Sequence, residues 1–152
     1  MKTGFFIRHA RAEKNSDIPD AARALDSRGK TELAEMVDRL RGKIKPDLFV
    51  SSTALRAIET AAALASGLGI AEDTILKRQS LYDHPETALA SIFKNLASQF
   101  NSVAIVGHNP SLSAIASGFA TEFLEELSNC GKVGIEFGVT TWKDGMNATN
   151  TV

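Results

Sequence analysis

Apolar runs of strand length alternate with one-sided helical stripes along almost all of this 152-residue chain. Gly4-Phe5-Phe6-Ile7 closes in Arg8-His9, Leu48-Phe49-Val50 closes in Ser51-Ser52, and Val103-Ala104-Ile105-Val106 closes in Gly107-His108. Thr74 to Leu81 reads as another strand. Between these runs lie Leu33, Met36, Val37 and Leu40, then Leu55, Ile58 and Ala62, then Leu89, Ile92, Phe93 and Leu96. Leu112, Ile115, Ala116 and Phe119 form a fourth stripe, and all four fit the spacing of a helix with one apolar face. Few folds accept such a pattern. Parallel strands joined by right-handed helical crossovers bury both faces of a sheet, so the expectation is a three-layer α/β fold, its mostly parallel central sheet covered by helices on both sides.

Local signals place the joints. Asp26 is suited to cap the first helix, with Gly42 near its end; Ser52 or Thr53 can cap the second, which stops around Gly67 to Gly69. Pro110 suits the first position of the last helix. Ala10 to Ala24 is polar and without period, a loop with room for one short helical turn. Val133 to Trp142 and Met146 to Val152 flank Lys143-Asp144-Gly145, a hairpin signal that closes the sheet at its carboxyl-terminal end. The length fits one domain, 1–152.

Charge and composition exclude several classes. At net charge −1 there is no basic surface to hold nucleic acid and no membrane-binding patch. Only a short apolar stretch precedes Arg8, too little for a signal peptide, and no run approaches the ~20 apolar residues of a membrane span. The lone Cys130 leaves no internal disulfide and no cysteine-based zinc site. A reducing, cytoplasmic location is expected.

In sheets of this kind ligands bind at the carboxyl ends of the strands. Arg8, His9, Ser51, Ser52, Asp83, His84 and His108 fall at such ends, and Arg56 follows in the first turn of the next helix. Two guanidiniums and two imidazoles converging on one edge suit a phosphoryl group. Arginine's planar fork binds phosphate oxygens in pairs and stays charged, and a helix amino terminus adds free N–H groups. A neutral imidazole can attack phosphorus and split one displacement into two easier ones. His9, directly after Arg8, is the expected nucleophile, and His108 the expected donor to a phosphoryl oxygen. Asp83 and Glu86 are the carboxylates available to protonate a leaving group, and the sequence does not choose between them. His84 reads as a solvated loop residue and Cys130 as a bystander.

Four blocks in this order resemble the histidine phosphatase superfamily, the phosphoglycerate mutase-like enzymes. Arg8-His9-Ala10 is similar to the family's R-H-G/A signature, and Leu25-Asp26-Ser27-Arg28-Gly29 to its L-T-x-x-G helix start. Ser51 to Thr60 resembles its S-S-x-x-x-R-A-x-Q-T block, and Gly107-His108-Asn109 its G-H-N/G block. The resemblance implies a phosphoglycerate mutase-like fold, a phosphohistidine on His9, a phosphate pocket of Arg8, Arg56 and His108, and no metal or other cofactor. It also places Asn15, six residues after His9, in that pocket. Asp26, Glu59 and Ala10 depart from the commonest family residues at positions not expected to touch the chemistry. The stretch Tyr82 to Glu86 lacks the family's glutamate acid.

The short span between Tyr82 and Ser102 leaves the expected pocket without a roof, and the length and R-H-A opening are similar to the compact SixA-type phosphohistidine phosphatases. That likeness implies hydrolysis of phosphohistidine on a signalling or phosphotransfer protein, such as a histidine-phosphotransfer domain. The alternatives are a phosphatase of small phosphate or phosphoamidate compounds and a non-catalytic phosphate-binding module. A metal hydrolase built on His9, His84, His108 and Asp83 is disfavoured, because no H-x-x-x-H or H-x-H spacing occurs.

Overall fold

The computed structural model describes residues 1–120 and 125–145 of the chain. Strands β1 (Lys2–Arg8), β2 (Leu48–Ser52), β3 (Leu76–Arg78), β4 (Ser102–Gly107) and β5 (Lys132–Phe137) form one sheet in the order β3-β2-β4-β1-β5. The first four run parallel and β5 pairs antiparallel with β1, which makes the sheet mostly parallel. Helices α1 (Ser27–Leu40) and α2 (Leu55–Gly67) follow β1 and β2. A short α3 (Ser80–Asp83) and α4 (Pro85–Asn95) follow β3, α5 (Ser111–Phe119) follows β4, and α6 (Trp142–Gly145) lies beyond β5. None of the described helices is long and apolar enough to cross a membrane.

Strand alternation divides the core in two. Ile7, Phe49, Ala104 and Val106 face α1 and α2, meeting Leu33, Met36, Val37, Leu64 and Ala61. Phe6, Val50, Val103 and Ile105 face α4 and α5, meeting Leu89, Phe93, Leu112 and Ala116. Each fully buried large apolar side chain contributes about 1.5–3 kcal/mol, so the position of β4 between β2 and β1 is fixed by burial on both faces.

The start of α1 is set by a close approach. Asp26 caps it, accepting from the Gly29 N–H at 2.7 Å. A Cβ on Gly29 would lie 2.0 Å from the Arg11 carbonyl oxygen, so only glycine lets the helix sit against the loop that leaves the site.

Several joints differ from expectation. Neither Ser52 nor Thr53 caps α2, which starts at Leu55 with Ala54 before it; the Ser52 hydroxyl is turned to His108 instead. Pro110 precedes α5 rather than opening it. The strand expected over Thr74 to Leu81 shrinks to three residues, because Ser80 to Asp83 turn into a helix that buries Leu81. At the carboxyl-terminal end, β5 supplies the antiparallel edge but Lys143-Asp144-Gly145 lies in α6, not in a hairpin turn. Trp142 causes this: its ring is buried against Phe93 and Phe137 and its indole N–H donates to the Phe100 carbonyl at 2.8 Å. The expected second hairpin strand, 146–152, lies outside the described residues.

Candidate active site

Parallel register brings the two imidazoles together. Arg8 pairs with Gly107 across β1 and β4, so the next residues, His9 and His108, emerge side by side with ring centroids 5.1 Å apart. The His9 N–H also donates to the Gly107 carbonyl at 3.1 Å. On the other side of β4, Ser51 pairs with Val106, which sets Ser52 beside the same edge. Arg56, one turn on, is 6% exposed.

His9 is held in one tautomer. Its Nδ1–H donates to the Ala10 carbonyl at 2.7 Å, and its Nε2 accepts from Arg56 Nε at 3.3 Å. Burial, helped by the positive charges of Arg56 and Arg8 and opposed by the Ala10 hydrogen bond, pushes its pKa down to about 4. His108 is pushed down to about 3, by burial first and then by His9 and Arg56. Both rings are therefore neutral at pH 7. Thr60 braces the pair, accepting from the Ala10 N–H at 3.0 Å and donating to the Arg56 carbonyl at 2.7 Å. Glu59 accepts from the Leu25 N–H, tying α2 to the start of α1.

Arg8 donates Nη1–H to the Leu127 carbonyl at 2.9 Å, while its Nε is buried without a partner among the described residues. His108 Nδ1 is likewise buried and has no partner among them. Asn109 donates to the same Leu127 carbonyl at 2.7 Å and accepts from Ser113, pinning that segment beside the site.

Arg8, His9, Arg23, Arg56 and His108, with Arg11 and Lys14 at the margin, line a cavity of about 410 Å³. Five cations and two neutral imidazoles surround it, and among the described residues no Asp or Glu lines it. An anion with several oxygens is what such a lining can hold. Among the described residues no group of three or more His, Cys, Asp or Glu side chains is arranged to hold a metal ion.

The expected acids are not brought into this cavity. Asp83 accepts from Gln79 and, with His84 and Glu86, lines a separate depression of about 310 Å³. The turn into α3 presents Tyr82 instead, its ring edge-on to His108 at 5.6 Å. Asn15 also stays out. It is exposed, its Oδ1 caps the Asp17 N–H at 3.0 Å, and it lines a neighbouring depression with Lys14 and Arg23.

Two residues of the aperiodic loop escaped the sequence reading. Asp20 accepts from Arg56 Nη2 at 3.0 Å, from the Tyr82 hydroxyl at 2.6 Å and from Arg23 at 2.6 Å, and its carbonyl accepts from Arg56 Nη1 at 2.7 Å. These bonds, the Tyr82 one foremost, hold its carboxyl far below the usual range, so Asp20 is an anion and no proton donor. Arg23 adds a further guanidinium to the cavity. The available signal was a loop carrying Asp20 and Arg23 after the strand that ends in Arg8-His9.

A family model of the histidine phosphatase superfamily (branch 1) matches residues 5–83. Among solved structures, the protein histidine phosphatase SixA complexed with tungstate superposes with a TM-score of 0.77 at 18% identity, covering 98% of this chain and 92% of that one. A candidate phosphohistidine phosphatase SixA from Agrobacterium tumefaciens gives 0.79 at 26% identity, over 90% of this chain and 92% of that one. A mycobacterial glucosyl-3-phosphoglycerate phosphatase gives 0.67 at 15% identity, over 93% of each. No curated protein sequence matches.

Proposed function

This chain belongs to the histidine phosphatase superfamily, and on that footing we propose that it hydrolyses phosphohistidine on a protein by way of a phosphoryl group carried on His9. The observation that carries the reading is the state of His9 Nε2: an unprotonated lone pair inside a ring of cations, on an imidazole that burial keeps neutral. In the first step that lone pair bonds to phosphorus as the bond from phosphorus to the substrate imidazole breaks. The departing nitrogen keeps the electron pair and takes a proton from water, leaving hydroxide. In the second step a water oxygen bonds to phosphorus as the bond to His9 Nε2 breaks, the proton that this water gives up neutralises the hydroxide, and inorganic phosphate and neutral His9 remain. Arg8 and Arg56 balance the charge on the equatorial oxygens throughout, and His108 donates to one of them.

Two features favour a phosphorus–nitrogen bond on a protein. No carboxylic acid faces the cavity among the described residues, and a departing imidazole makes less demand on an acid than an alkoxide does. A larger cavity, about 610 Å³, shares Arg11 and Asn129 with the first, leaving room for chain around a phosphorylated side chain. The names carried by the SixA-type neighbours agree with this substrate. The test is release of phosphate from a phosphohistidine peptide by purified protein in a chelator, with an aryl phosphate alongside. Turnover of the aryl phosphate alone would remove the phosphohistidine assignment.

A further inference from the structure

His108 can donate to a phosphoryl oxygen only if the correct ring nitrogen carries its proton, and Ser52 bears on which one does. Ser52 is 0% exposed. Its Oγ accepts from the Ala54 N–H at 3.2 Å and lies 2.7 Å from His108 Nε2. The neighbouring Ser51 hydroxyl is spent on the Ser52 carbonyl at 2.9 Å. Among the described residues, the ring nitrogen facing the Ser52 hydroxyl is His108 Nε2, and it is the acceptor that can take the hydroxyl proton.

Two arrangements compete. With the proton on Nε2, that N–H donates to Oγ, the Ser52 proton is stranded in a buried site, and Nδ1 presents a lone pair with no partner among the described residues. With the proton on Nδ1, the Ser52 O–H donates to Nε2 and a single N–H is left over. Each stranded buried polar group costs about 1–3 kcal/mol, which favours the second arrangement. An anion favours it again, because it attracts an N–H and repels a lone pair.

We propose that Ser52 is a positioning residue that holds His108 as the Nδ1–H tautomer, ready to donate to a phosphoryl oxygen. The role in the reaction rests on the phosphatase reading above; the tautomer itself does not.

Nitrogen-15-labelled protein at pH 7 tests this by long-range proton–nitrogen correlation. The chain has three histidines, assigned with His9→Gln and His84→Gln. The expected spectrum shows His108 Nδ1 protonated and Nε2 bare. Ser52→Ala should move His108 toward the Nε2–H form that free imidazole side chains prefer in water, and weaken inorganic phosphate binding about tenfold, in line with one lost charge-assisted hydrogen bond. Ser52→Thr, which keeps the hydroxyl, should restore both. A protonated Nε2 in the unaltered protein overturns the proposal, as does a His108 tautomer indifferent to Ser52→Ala. An unaltered protein that hydrolyses nothing removes the phosphatase reading, while the same spectra still decide the tautomer.

Discussion

Arg56 donates its Nε–H to Nε2 of His9 at 3.3 Å, although the two residues are 47 positions apart in the chain. A nitrogen that accepts from a guanidinium carries no proton, and the opposite nitrogen is fixed as a donor to Ala10. The guanidinium thus keeps this lone pair unprotonated, and in the proposed mechanism it is the pair that attacks phosphorus. Replacing His9 by Ala should lower kcat on a phosphohistidine peptide by at least about a thousandfold. Acid-labile phosphate should be trapped on the unaltered protein in rapid quench and be missing from the variant.

Arg56→Lys keeps the charge but loses the planar fork that spans His9 and both oxygens of contact on Asp20. A fall in kcat/KM of about 10–100-fold is expected, with the cost shared between binding and turnover. Steady-state kinetics with both substrates would show it.

The histidine pKa values set the pH behaviour. His9 is a nucleophile only when neutral, so the rate should hold level from pH 8 down through pH 6 and decline as pH falls toward about 4. Stability follows the same sign. In the folded chain His9 and His108 stay neutral at pH values where the unfolded chain would protonate them near 6.5. Folding is thus opposed progressively as pH drops from about 6.5 toward about 4 for His9 and about 3 for His108, and denaturant midpoints measured across that window should fall.

Tyr82 is the single tyrosine of the chain, so its ionisation can be followed by absorbance alone. Its hydrogen bond to the Asp20 carboxylate, then burial, raise its pKa above the ordinary value. Asp20→Asn should bring the titration down toward 10.0. The same substitution frees Arg56 and Arg23 from their shared carboxylate, and a weaker kcat/KM is expected alongside.

Asp83→Asn and Glu86→Gln should each leave turnover of the phosphohistidine peptide within about twofold, as expected of surface substitutions away from a site. Both side chains line a depression apart from the cationic cavity. A large loss in either would restore a carboxylic acid to the reaction.

Gly29→Ala places a methyl group against the Arg11 carbonyl, backbone that cannot swing aside. A loss of about 1–3 kcal/mol is expected, read as a lower thermal midpoint. The loop between β1 and α1 would shift with it, and activity should fall too.

Alternation of strand and helix, with the apolar stripes on each helix, was enough to expect a mostly parallel sheet and to put Arg8, His9, Arg56 and His108 at the carboxyl ends of its strands; the strand order itself came from the tertiary structure. Those four sit at or just past the ends of long, doubly buried elements, where burial permits one register and a one-residue slip would expose a core face. Tertiary structure decided what such patterns do not encode. Asp20 and Arg23 lie in an aperiodic loop, placed by hydrogen bonds to Arg56 and Tyr82 that span up to 62 positions. Tyr82 rather than Asp83 faces His108 because burial of Leu81 turns Ser80 to Asp83 into a helix and ends the edge strand after three residues. Trp142 packs into the aromatic cluster and turns its segment helical where local turn residues favour a hairpin. Periodicity reports which face of a long element is buried; the direction of a short element or a loop is set by partners distant in the chain.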